Sequence, residues 1–319
     1  MALILANDGL DTTGRVLLEQ AGHVVQTNKV AQNELAAYIV QHNVAAILVR
    51  SATLVTEAEL QTGKLKVVGR AGVGMDNIDL KCAEKLGIPV VNTPASSSRS
   101  VAELVIAHAL GILRFLPESN RALPAIGSTD FEKLKKQFAN GRELQNRTMG
   151  IIGFGRIGRA TAQLALGLGM KVVAFDPHVS QCIINFHIHG FGDVAVPITP
   201  ISFDDVLAQS DILSLHVPKP KDGAVINTEA FLKMKQGAII INASRGGVID
   251  ENALIDALNA GKIAGAGLDV FENEPTPDAR LLKHPRISLT PHIGAATEEA
   301  QARIGIELAV KVLEVLHLN

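Results

Sequence analysis

Short runs of aliphatic residues recur along the chain, and segments with apolar residues at helical spacing, such as that around Leu35 and Ile39, lie between most of them. This alternation predicts doubly wound α/β sheets. Runs in the second half, such as AIIINAS, are apolar on both faces, as parallel strands between two helical layers are. The predicted strands are 2–7, 23–28, 45–50, 66–71 and 90–93, and then 148–154, 171–176, 212–217, 238–244, 265–270 and 286–290.

Two Thr-Pro pairs, each followed by a predicted helix start, mark candidate crossings between two domains. They lie in NTPASSSRSVAE (92–103) and LTPHIGAATEEA (289–300). A chain of 319 residues also exceeds the size at which a single hydrophobic core is usual. We therefore predict one domain built from residues 1–96 and 292–319, and a second domain, residues 97–291, inserted into it.

Composition excludes several classes of protein. With 47% hydrophobic and 19% charged residues and a net charge of −2, the chain is typical of a globular protein, and nothing favours nucleic acid or an anionic membrane as a partner. No apolar run approaches a membrane span, and MALILAND lacks the basic region of a signal peptide. Cys82 and Cys182 are too few for a disulfide framework or a metal knuckle. We therefore expect a cytoplasmic protein.

The segment TMGIIGFGRIGRATAQLALGLGMKVVAFD (148–176) predicts a dinucleotide site. Gly153, Gly155 and Gly158 fit G-x-G-x-x-G between an apolar strand and a helix, where they permit a tight turn, close approach of a pyrophosphate, and helix–strand packing. Asp176 ends the next strand, where a carboxylate binds the ribose hydroxyls and repels a 2′-phosphate. A lone glycine motif can be only a turn, but the complete unit predicts an NAD-binding Rossmann domain.

Three charged side chains follow predicted strands of the inserted domain: Arg245 after AIIINAS, Glu274 in LDVFENEP and His292 in TPHIG. The carboxyl ends of such strands are where α/β domains bind ligands. An arginine binds a carboxylate bidentately, and a histidine paired with a carboxylate is a general acid and base. Each alone could be a surface, solvated or hinge residue. Together they predict an enzyme that transfers a hydride to a 2-keto acid and, in the reverse direction, from a 2-hydroxy acid.

Four blocks, GFGRIGR, INASRGGVID, GLDVFENEP and TPHIGAAT, resemble the signatures of the D-isomer-specific 2-hydroxyacid dehydrogenases. The stretches LVRSAT, VVGRAGVGMDNIDL and VNTP narrow the resemblance to the D-3-phosphoglycerate dehydrogenases. It implies a Rossmann NAD-binding domain inserted into a flavodoxin-like substrate domain, and a homodimer formed through the NAD-binding domain. It also implies the reversible NAD-linked oxidation of D-3-phosphoglycerate to 3-phosphohydroxypyruvate, the entry into serine biosynthesis. Because the regulatory domain of longer members has no counterpart here, we expect no feedback inhibition by serine.

The resemblance also assigns roles by position. It implies that Arg245 orients the substrate, that Glu274 pairs with His292, and that His292 donates and accepts the proton. The implied contacts of NAD are Gly153, Gly155, Arg156, Ile157, Gly158, Asp176, Val217, Ala243, Ser244, Arg245, Asp269, His292, Gly294 and Ala295. Family members dimerise through segments that correspond to 100–116 and 117–147.

The substrate's phosphate would need cations, and Arg50 and Arg70 each end a predicted strand of the first domain. Neighbouring parallel strands would bring both to one edge, although two surface arginines are the alternative. Nearby, GRAGVG lacks the dinucleotide spacing, and we expect its backbone N–H groups to face a small anion. The candidate substrate-binding residues are Arg50, Arg70, Gly72, Val73, Gly74 and Arg245.

The sequence departs from the family at several places. Ser96, Ser97 and Ser98 replace a segment that often contains asparagine, and Val73 replaces a frequent threonine. The segment 177–200 is longer than usual, and in it His187 and His189 would share one face of a strand; two histidines alone rarely bind a metal, so none is expected.

Two competing functions stay open. One is the same chemistry on another 2-hydroxy acid, such as glyoxylate, hydroxypyruvate or lactate. The other is an NAD(H)-sensing corepressor of the same fold, which would bind NADH tightly but turn over poorly.

Overall fold

The structure, a computed structural model, describes residues 1–318 and falls into two compact units. The first contains Met1–Ser98 and the chain from Ala295 onward, and the second is Arg99–Gly294. The two crossings thus lie between residues 98 and 99 and between 294 and 295, whereas the sequence pattern placed them between 96 and 97 and between 291 and 292.

The elements follow the predicted alternation. The strands are β1 Leu3–Ala6, β2 Val24–Gln26, β3 Val44–Val49, β4 Val67–Arg70, β5 Val90–Asn92, β6 Thr148–Ile152, β7 Lys171–Phe175, β8 Cys182–Ile188, β9 Gly192–Ile198, β10 Ile212–Leu215, β11 Ala238–Asn242, β12 Ile263–Leu268 and β13 Ile287–Leu289. The α-helices are α1 Thr12–Gln20, α2 Leu35–His42, α3 Glu57–Leu60, α4 Leu80–Lys85, α5 Ser98–Leu113, α6 Leu116–Gln137, α7 Arg156–Gly167, α8 Phe203–Gln209, α9 Thr228–Lys233, α10 Glu251–Asn259, α11 Ala279–Lys283 and α12 Glu298–Leu318. A 3₁₀ turn covers Gln32–Glu34.

The first unit has a parallel sheet in the order β2-β1-β3-β4-β5. This is the order of flavodoxin-like folds, as expected. Val49 of β3 pairs with Arg70 of β4, so Arg50 and Arg70 lie at the same edge of the sheet. Helices α1 and α12 touch where Gly14 meets Gly305, because a side chain at Gly14 would lie 2.5 Å from the Gly305 carbonyl oxygen.

The second unit has a parallel sheet in the order β13-β12-β11-β10-β6-β7. Strand β6 has β7 on one side and β10 on the other, which makes it the topological switch point where doubly wound sheets bind nucleotides. Strand β11, the run of three isoleucines, is buried along its whole length between β10 and β12. The prediction of two doubly wound α/β domains is confirmed.

The segment 177–200 contains a feature that the pattern did not predict, an antiparallel hairpin of β8 and β9. Its buried residues Cys182, Ile184 and Ile198 join the apolar core formed with α7 and β7. The prediction that His187 and His189 share one face of a strand is wrong, because β8 ends at Ile188 and His189 lies in the turn. The His187 ring lies 2.8 Å from the Asp193 carboxylate across the hairpin.

Among residues 1–318, no single helix is both long and apolar enough to cross a membrane. Helices α5 and α6, which are bent at 55° to each other, meet the length and composition criteria of a membrane span only when they are taken together.

Candidate active site

The glycine loop after β6 has the contacts that a dinucleotide site requires. Gly153 has a φ of 92°, and a Cβ there would lie 2.5 Å from the His216 carbonyl oxygen. A Cβ at Gly158 would overlap the Gly153 carbonyl, so the helix α7 could not approach the loop. Gly155 differs, because among the described residues nothing lies within 4 Å of the position of its Cβ. The open side of the loop at Gly155, at the start of α7, therefore fits a pyrophosphate.

Asp176 stands directly after β7 and organises the turn around the glycine loop. Its Oδ2 accepts the Phe154 N–H at 2.7 Å, and its Oδ1 accepts the His178 N–H at 2.8 Å. A carboxylate has lone pairs for more than these two bonds, so the same group can still accept from ribose hydroxyls. The residues at this end of the domain therefore fit NAD.

Arg245 follows β11 in a turn held by Asn242. The buried Asn242 side chain accepts the N–H and hydroxyl of Ser244 at 3.0 and 2.7 Å and donates to the Arg245 carbonyl at 2.9 Å. Arg245 Nη1 donates to the Ser244 carbonyl at 2.6 Å. A side chain at Gly246 would overlap the Phe271 carbonyl, so glycine lets this turn lie against the loop after β12. Sequence reasoning missed Asn242, although an asparagine at a strand end is a known turn former.

Glu274 and His292 form a hydrogen-bonded pair beyond the adjacent strands β12 and β13. The distance from His292 Nδ1 to Glu274 Oε2 is 2.8 Å, and Glu274 Oε1 accepts the Phe271 N–H at 2.9 Å. Burial acts to raise the pKa of Glu274, but the hydrogen bonds from His292 and Phe271 and the charges of His292 and Arg245 outweigh it. The pKa of Glu274 is therefore lowered, and the carboxylate stays ionised at neutral pH.

An apolar cavity of about 410 Å³ adjoins this pair. Its lining comprises Phe271, Glu274, Pro275, Pro277, Leu282, Leu289, Thr290, Pro291 and His292. The side chains of His292 and Glu274 are 39% and 35% exposed, so a ligand in this cavity can reach the imidazole. The arrangement can hold a proton on one ring nitrogen and exchange another through the second.

Asp269 makes contacts that its expected role in binding NAD does not describe. Its Oδ1 accepts the Thr290 hydroxyl at 2.6 Å and the Ile293 N–H at 2.8 Å, its Oδ2 accepts the Gly294 N–H at 2.8 Å, and its carbonyl accepts the His292 N–H at 2.8 Å. His292 has a left-handed φ of 55°, a conformation that costs roughly 1–3 kcal/mol for a residue other than glycine. In the structure the Asp269 carboxylate, which is 1% exposed, therefore holds the turn that carries His292.

The remaining positions implied for NAD are spread over loops at the carboxyl ends of strands. Val217 follows β10, and Ala243 and Ser244 follow β11. Arg156 and Ile157 begin α7, where Arg156 is exposed and Ile157 half-buried. Gly294 is buried in the second unit, whereas Ala295 belongs to the first.

In the first unit, Arg50 is held through its backbone. Its N–H donates to Asp8 Oδ2 at 2.7 Å and its carbonyl accepts from Asn77 Nδ2 at 2.8 Å. Asp8, 4% exposed, also accepts from Thr53 and forms an ion pair with Lys29. Burial acts to raise the pKa of Asp8, but these partners outweigh it and the pKa is lowered. Sequence reasoning missed Asp8 and Asn77.

Arg70 lies over the loop that follows it. A Cβ at Gly72 would overlap the Arg70 guanidinium, and Arg70 Nη1 donates to the Ala71 carbonyl at 3.2 Å. The N–H groups of Ala71 and Gly72 donate to the carbonyls of Val49 and Arg70. The expectation that GRAGVG presents its N–H groups to an anion is therefore wrong for these two groups. Val73 is exposed and its carbonyl accepts from Asn92 at 2.7 Å, while Gly74 is half-buried.

Arg50 also lines a cavity of about 320 Å³ in the first unit, together with Gly9, Leu10, Asp11, Ala71, Gln301, Ile304 and Gly305. A cavity beside a strand-end arginine offers room for a small anion.

Among residues 1–318, no group of three or more histidine, cysteine or acidic side chains could hold a metal ion.

Comparison with known proteins identifies a matching family model and similar sequences and structures. The family described as D-isomer specific 2-hydroxyacid dehydrogenase, NAD binding domain, matches residues 106–294. D-3-phosphoglycerate dehydrogenase of Synechocystis sp. is 38% identical over 99% of this chain and 54% of that protein. Hydroxypyruvate reductase of Thermotoga maritima is 40% identical over 97% of both chains. A glyoxylate reductase from Paecilomyes thermophila superposes with a TM-score of 0.82 at 27% identity, over 99% of this chain and 95% of that one.

These similarities confirm the resemblance predicted from the motifs and the choice of NAD as cofactor. The chain spans about half the length of the phosphoglycerate dehydrogenase that it matches, 54%, and nearly all of the hydroxypyruvate reductase, 97%.

Proposed function

The chain belongs to the D-isomer specific 2-hydroxyacid dehydrogenase family, and from this premise we propose that it catalyses the reversible NAD-linked oxidation of D-3-phosphoglycerate to 3-phosphohydroxypyruvate. The reaction would be the entry into serine biosynthesis. The observation that carries the proposal is the hydrogen-bonded pair of His292 and Glu274, with Arg245 close enough to lower the pKa of Glu274.

In this proposal each member of the triad acts on one part of the substrate. Arg245 binds the C1 carboxylate and polarises the neighbouring carbonyl. His292 donates a proton to the carbonyl oxygen during reduction and removes it from the hydroxyl during oxidation. Glu274 keeps His292 oriented and favours its protonated form. NAD, bound at the glycine loop, supplies the acceptor or donor of the hydride.

The choice of a phosphorylated substrate rests on Arg50 and Arg70. Both lie at the same edge of the first sheet, and Arg50 lines a cavity there. Two guanidinium groups on neighbouring strands can bind a phosphate with several charge-assisted hydrogen bonds. We therefore assign the phosphate of the substrate to this pair.

The test replaces Arg50 and Arg70 separately with alanine. Each change should lower kcat/KM for 3-phosphohydroxypyruvate by about 1.5–3 kcal/mol, or roughly 10- to 150-fold, the range for hydrogen bonds to charged groups. Activity on unphosphorylated hydroxypyruvate should barely change. Arg15→Ala, an arginine on α1 paired with Glu19, is the matched control and should leave both activities unchanged. Equal losses on the two substrates would assign the arginines to the fold or to the carboxylate.

Reduction of hydroxypyruvate or glyoxylate is the second candidate. It is favoured by the similarity to the hydroxypyruvate reductase, which matches over 97% of both chains. A panel of 2-keto acids tested with NADH separates the two, because the first predicts the highest kcat/KM for the phosphorylated acid. Replacement of His292 with asparagine should abolish activity on every member of the panel, by a factor of order 10²–10⁴.

We further propose a homodimer formed through the NAD-binding domain. Exposed apolar side chains concentrate on α5 and α6, namely Leu110, Leu116, Leu123, Ile126 and Phe131. Contiguous exposed apolar residues mark association surfaces. Leu123→Asp should yield a monomer in light scattering, whereas Leu232→Asp on α9, where the leucine is 70% exposed, should not. An unchanged mass for Leu123→Asp would place the interface elsewhere.

A further inference from the structure

His108 is a buried polar residue on α5 that neither the motifs nor the proposed reaction uses. Its side chain is 3% exposed and lies against Gly267 of β12, where a Cβ would come within 2.8 Å of the His108 Cβ. Gly265 makes the same close contact with Ile112, one turn further along α5. The two glycines therefore let α5 lie directly on β12, the strand that precedes Glu274.

Both ring nitrogens of His108 are hydrogen-bonded. Nδ1 lies 2.9 Å from the Ser288 hydroxyl and Nε2 lies 3.0 Å from the Thr290 hydroxyl. Burial lowers the pKa of His108, so the ring is neutral and carries one proton. The hydrogen bond between Thr290 and Asp269 determines which ring nitrogen carries that proton.

The Thr290 hydroxyl lies 2.6 Å from Oδ1 of Asp269 and donates to it, because a carboxylate can only accept. A hydroxyl has one proton, so Thr290 must accept from His108 at its other contact. His108 therefore carries its proton on Nε2, and Nδ1 accepts from Ser288. Every donor and acceptor in this sequence of bonds is then matched.

Asp269 connects these hydrogen bonds to the turn that contains His292. The oxygen that accepts from Thr290 also accepts the Ile293 N–H, and the second oxygen accepts the Gly294 N–H. These bonds flank His292, whose φ is left-handed and whose own N–H bonds to the Asp269 carbonyl. The orientation of the Asp269 carboxylate thus sets the backbone of the residue that carries the imidazole.

We propose that His108 and Thr290 are positioning residues for His292: they orient the Asp269 carboxylate that holds the His292 turn at the geometry required for proton transfer. The inference rests on the proposed function, in which His292 is the general acid and base. Neither residue belongs to the triad of Arg245, Glu274 and His292, so both act through Asp269.

The experiment compares substitutions that remove one hydrogen bond with substitutions that keep it. Thr290→Val removes the hydroxyl at nearly constant volume, and Thr290→Ser retains it. His108→Leu removes the donor, and His108→Gln keeps an N–H near the position of Nε2. We expect Thr290→Val and His108→Leu, measured at saturating NADH, to lose on the order of 10- to 100-fold in kcat, as misplacement of a reacting group does, with little change in the KM of the keto acid. Thr290→Ser and His108→Gln should recover most of the loss.

A direct readout is the tautomer of His108, which histidine ¹⁵N NMR of the intact protein reports, assigned by the resonance lost in His108→Gln. We expect a neutral ring protonated on Nε2. A ring protonated on Nδ1, or a Thr290→Val variant with the kcat of the wild type, would overturn the inference. If His108→Leu does not fold, the kcat values of the two Thr290 variants and the tautomer of His108 test the inference.

The outcomes separate this inference from the function on which it rests. A wild-type protein that reduces no 2-keto acid, or a His292→Asn variant that remains active, would remove the proposed function and this inference with it. An active wild type, an inactive His292→Asn and an unimpaired Thr290→Val would remove the inference alone.

Discussion

The carboxylate of Glu274 accepts a hydrogen bond from the imidazole of His292, with 2.8 Å between Oε2 and Nδ1. The two residues follow neighbouring strands, and the lowered pKa of Glu274 keeps its charge at neutral pH. Because Nδ1 is bound to the carboxylate, Nε2 is the ring nitrogen that can exchange a proton with a substrate. The pair therefore gives His292 a fixed tautomer and a fixed orientation.

Replacement of Glu274 with glutamine should move the pH profile of keto-acid reduction to lower pH. Glutamine keeps the shape of Glu274 but carries no charge, so it stabilises a neighbouring cation less than the carboxylate does. The measurement is kcat/KM for reduction from pH 5 to 9. Glu272→Gln, an exposed neighbour in the same loop, is the control and should leave the profile in place. An unmoved profile for Glu274→Gln would show that the two groups do not interact during turnover.

Replacement of Arg245 with alanine should remove most activity while NADH still binds. The guanidinium is proposed to bind the substrate's carboxylate, whereas the glycine loop at Gly155 is a separate feature of the domain. Arg245→Lys should recover only part of the loss, because an ammonium cannot bind a carboxylate as a planar fork. Steady-state kinetics and NADH fluorescence titration measure the two properties. Wild-type kcat/KM in Arg245→Ala would rule out this role.

Replacement of Asp176 with serine should relax the preference for NADH over NADPH, since the carboxylate that repels a 2′-phosphate is removed. Some loss of stability is also expected, because Asp176 accepts the N–H groups of Phe154 and His178. The measurement is the ratio of kcat/KM for the two cofactors. Asp193→Ser, at an exposed position in the β8–β9 hairpin, should leave the ratio unchanged. A constant ratio in Asp176→Ser would mean that another group selects the cofactor.

Asp8 should make stability depend on pH below neutrality. Its pKa is lowered in the folded protein, so the stabilisation is complete above the ordinary carboxyl pKa and is lost as the pH falls through the folded value. Asp8→Asn should therefore lower the Tm most at pH 7 and least under acidic conditions. Thermal unfolding at pH 7 and near pH 3 measures the difference. Equal destabilisation at both values would show that the charge contributes nothing.

The local pattern of residues was sufficient for much of the fold. Each predicted strand has a counterpart, from β1 to β13, because parallel strands covered on both faces must be continuously apolar. The glycine motif could also be recognised in the sequence, because close contacts with the nearby backbone require glycine at positions 153 and 158. The exception is the β8–β9 hairpin, where burial alternates along both strands but the exposed positions include Ile183, Ala195 and Pro197, so that apolar and polar residues do not alternate in the sequence.

The sequence by itself predicted which residues carry the chemistry, because Arg245, Glu274 and His292 each follow a strand within a recognisable motif. Only the tertiary structure decided how those residues are held. Asn242 was missed and the structural contacts of Asp269 were not predicted, because most of their partners are backbone N–H and carbonyl groups, which every residue has. His108 meets Thr290 across 182 positions of sequence, and no local pattern specifies a hydrogen bond between a helix and a strand end so far apart in the chain. Their distances depend on how α5 packs on β12, which in turn depends on two glycines that leave room for the helix.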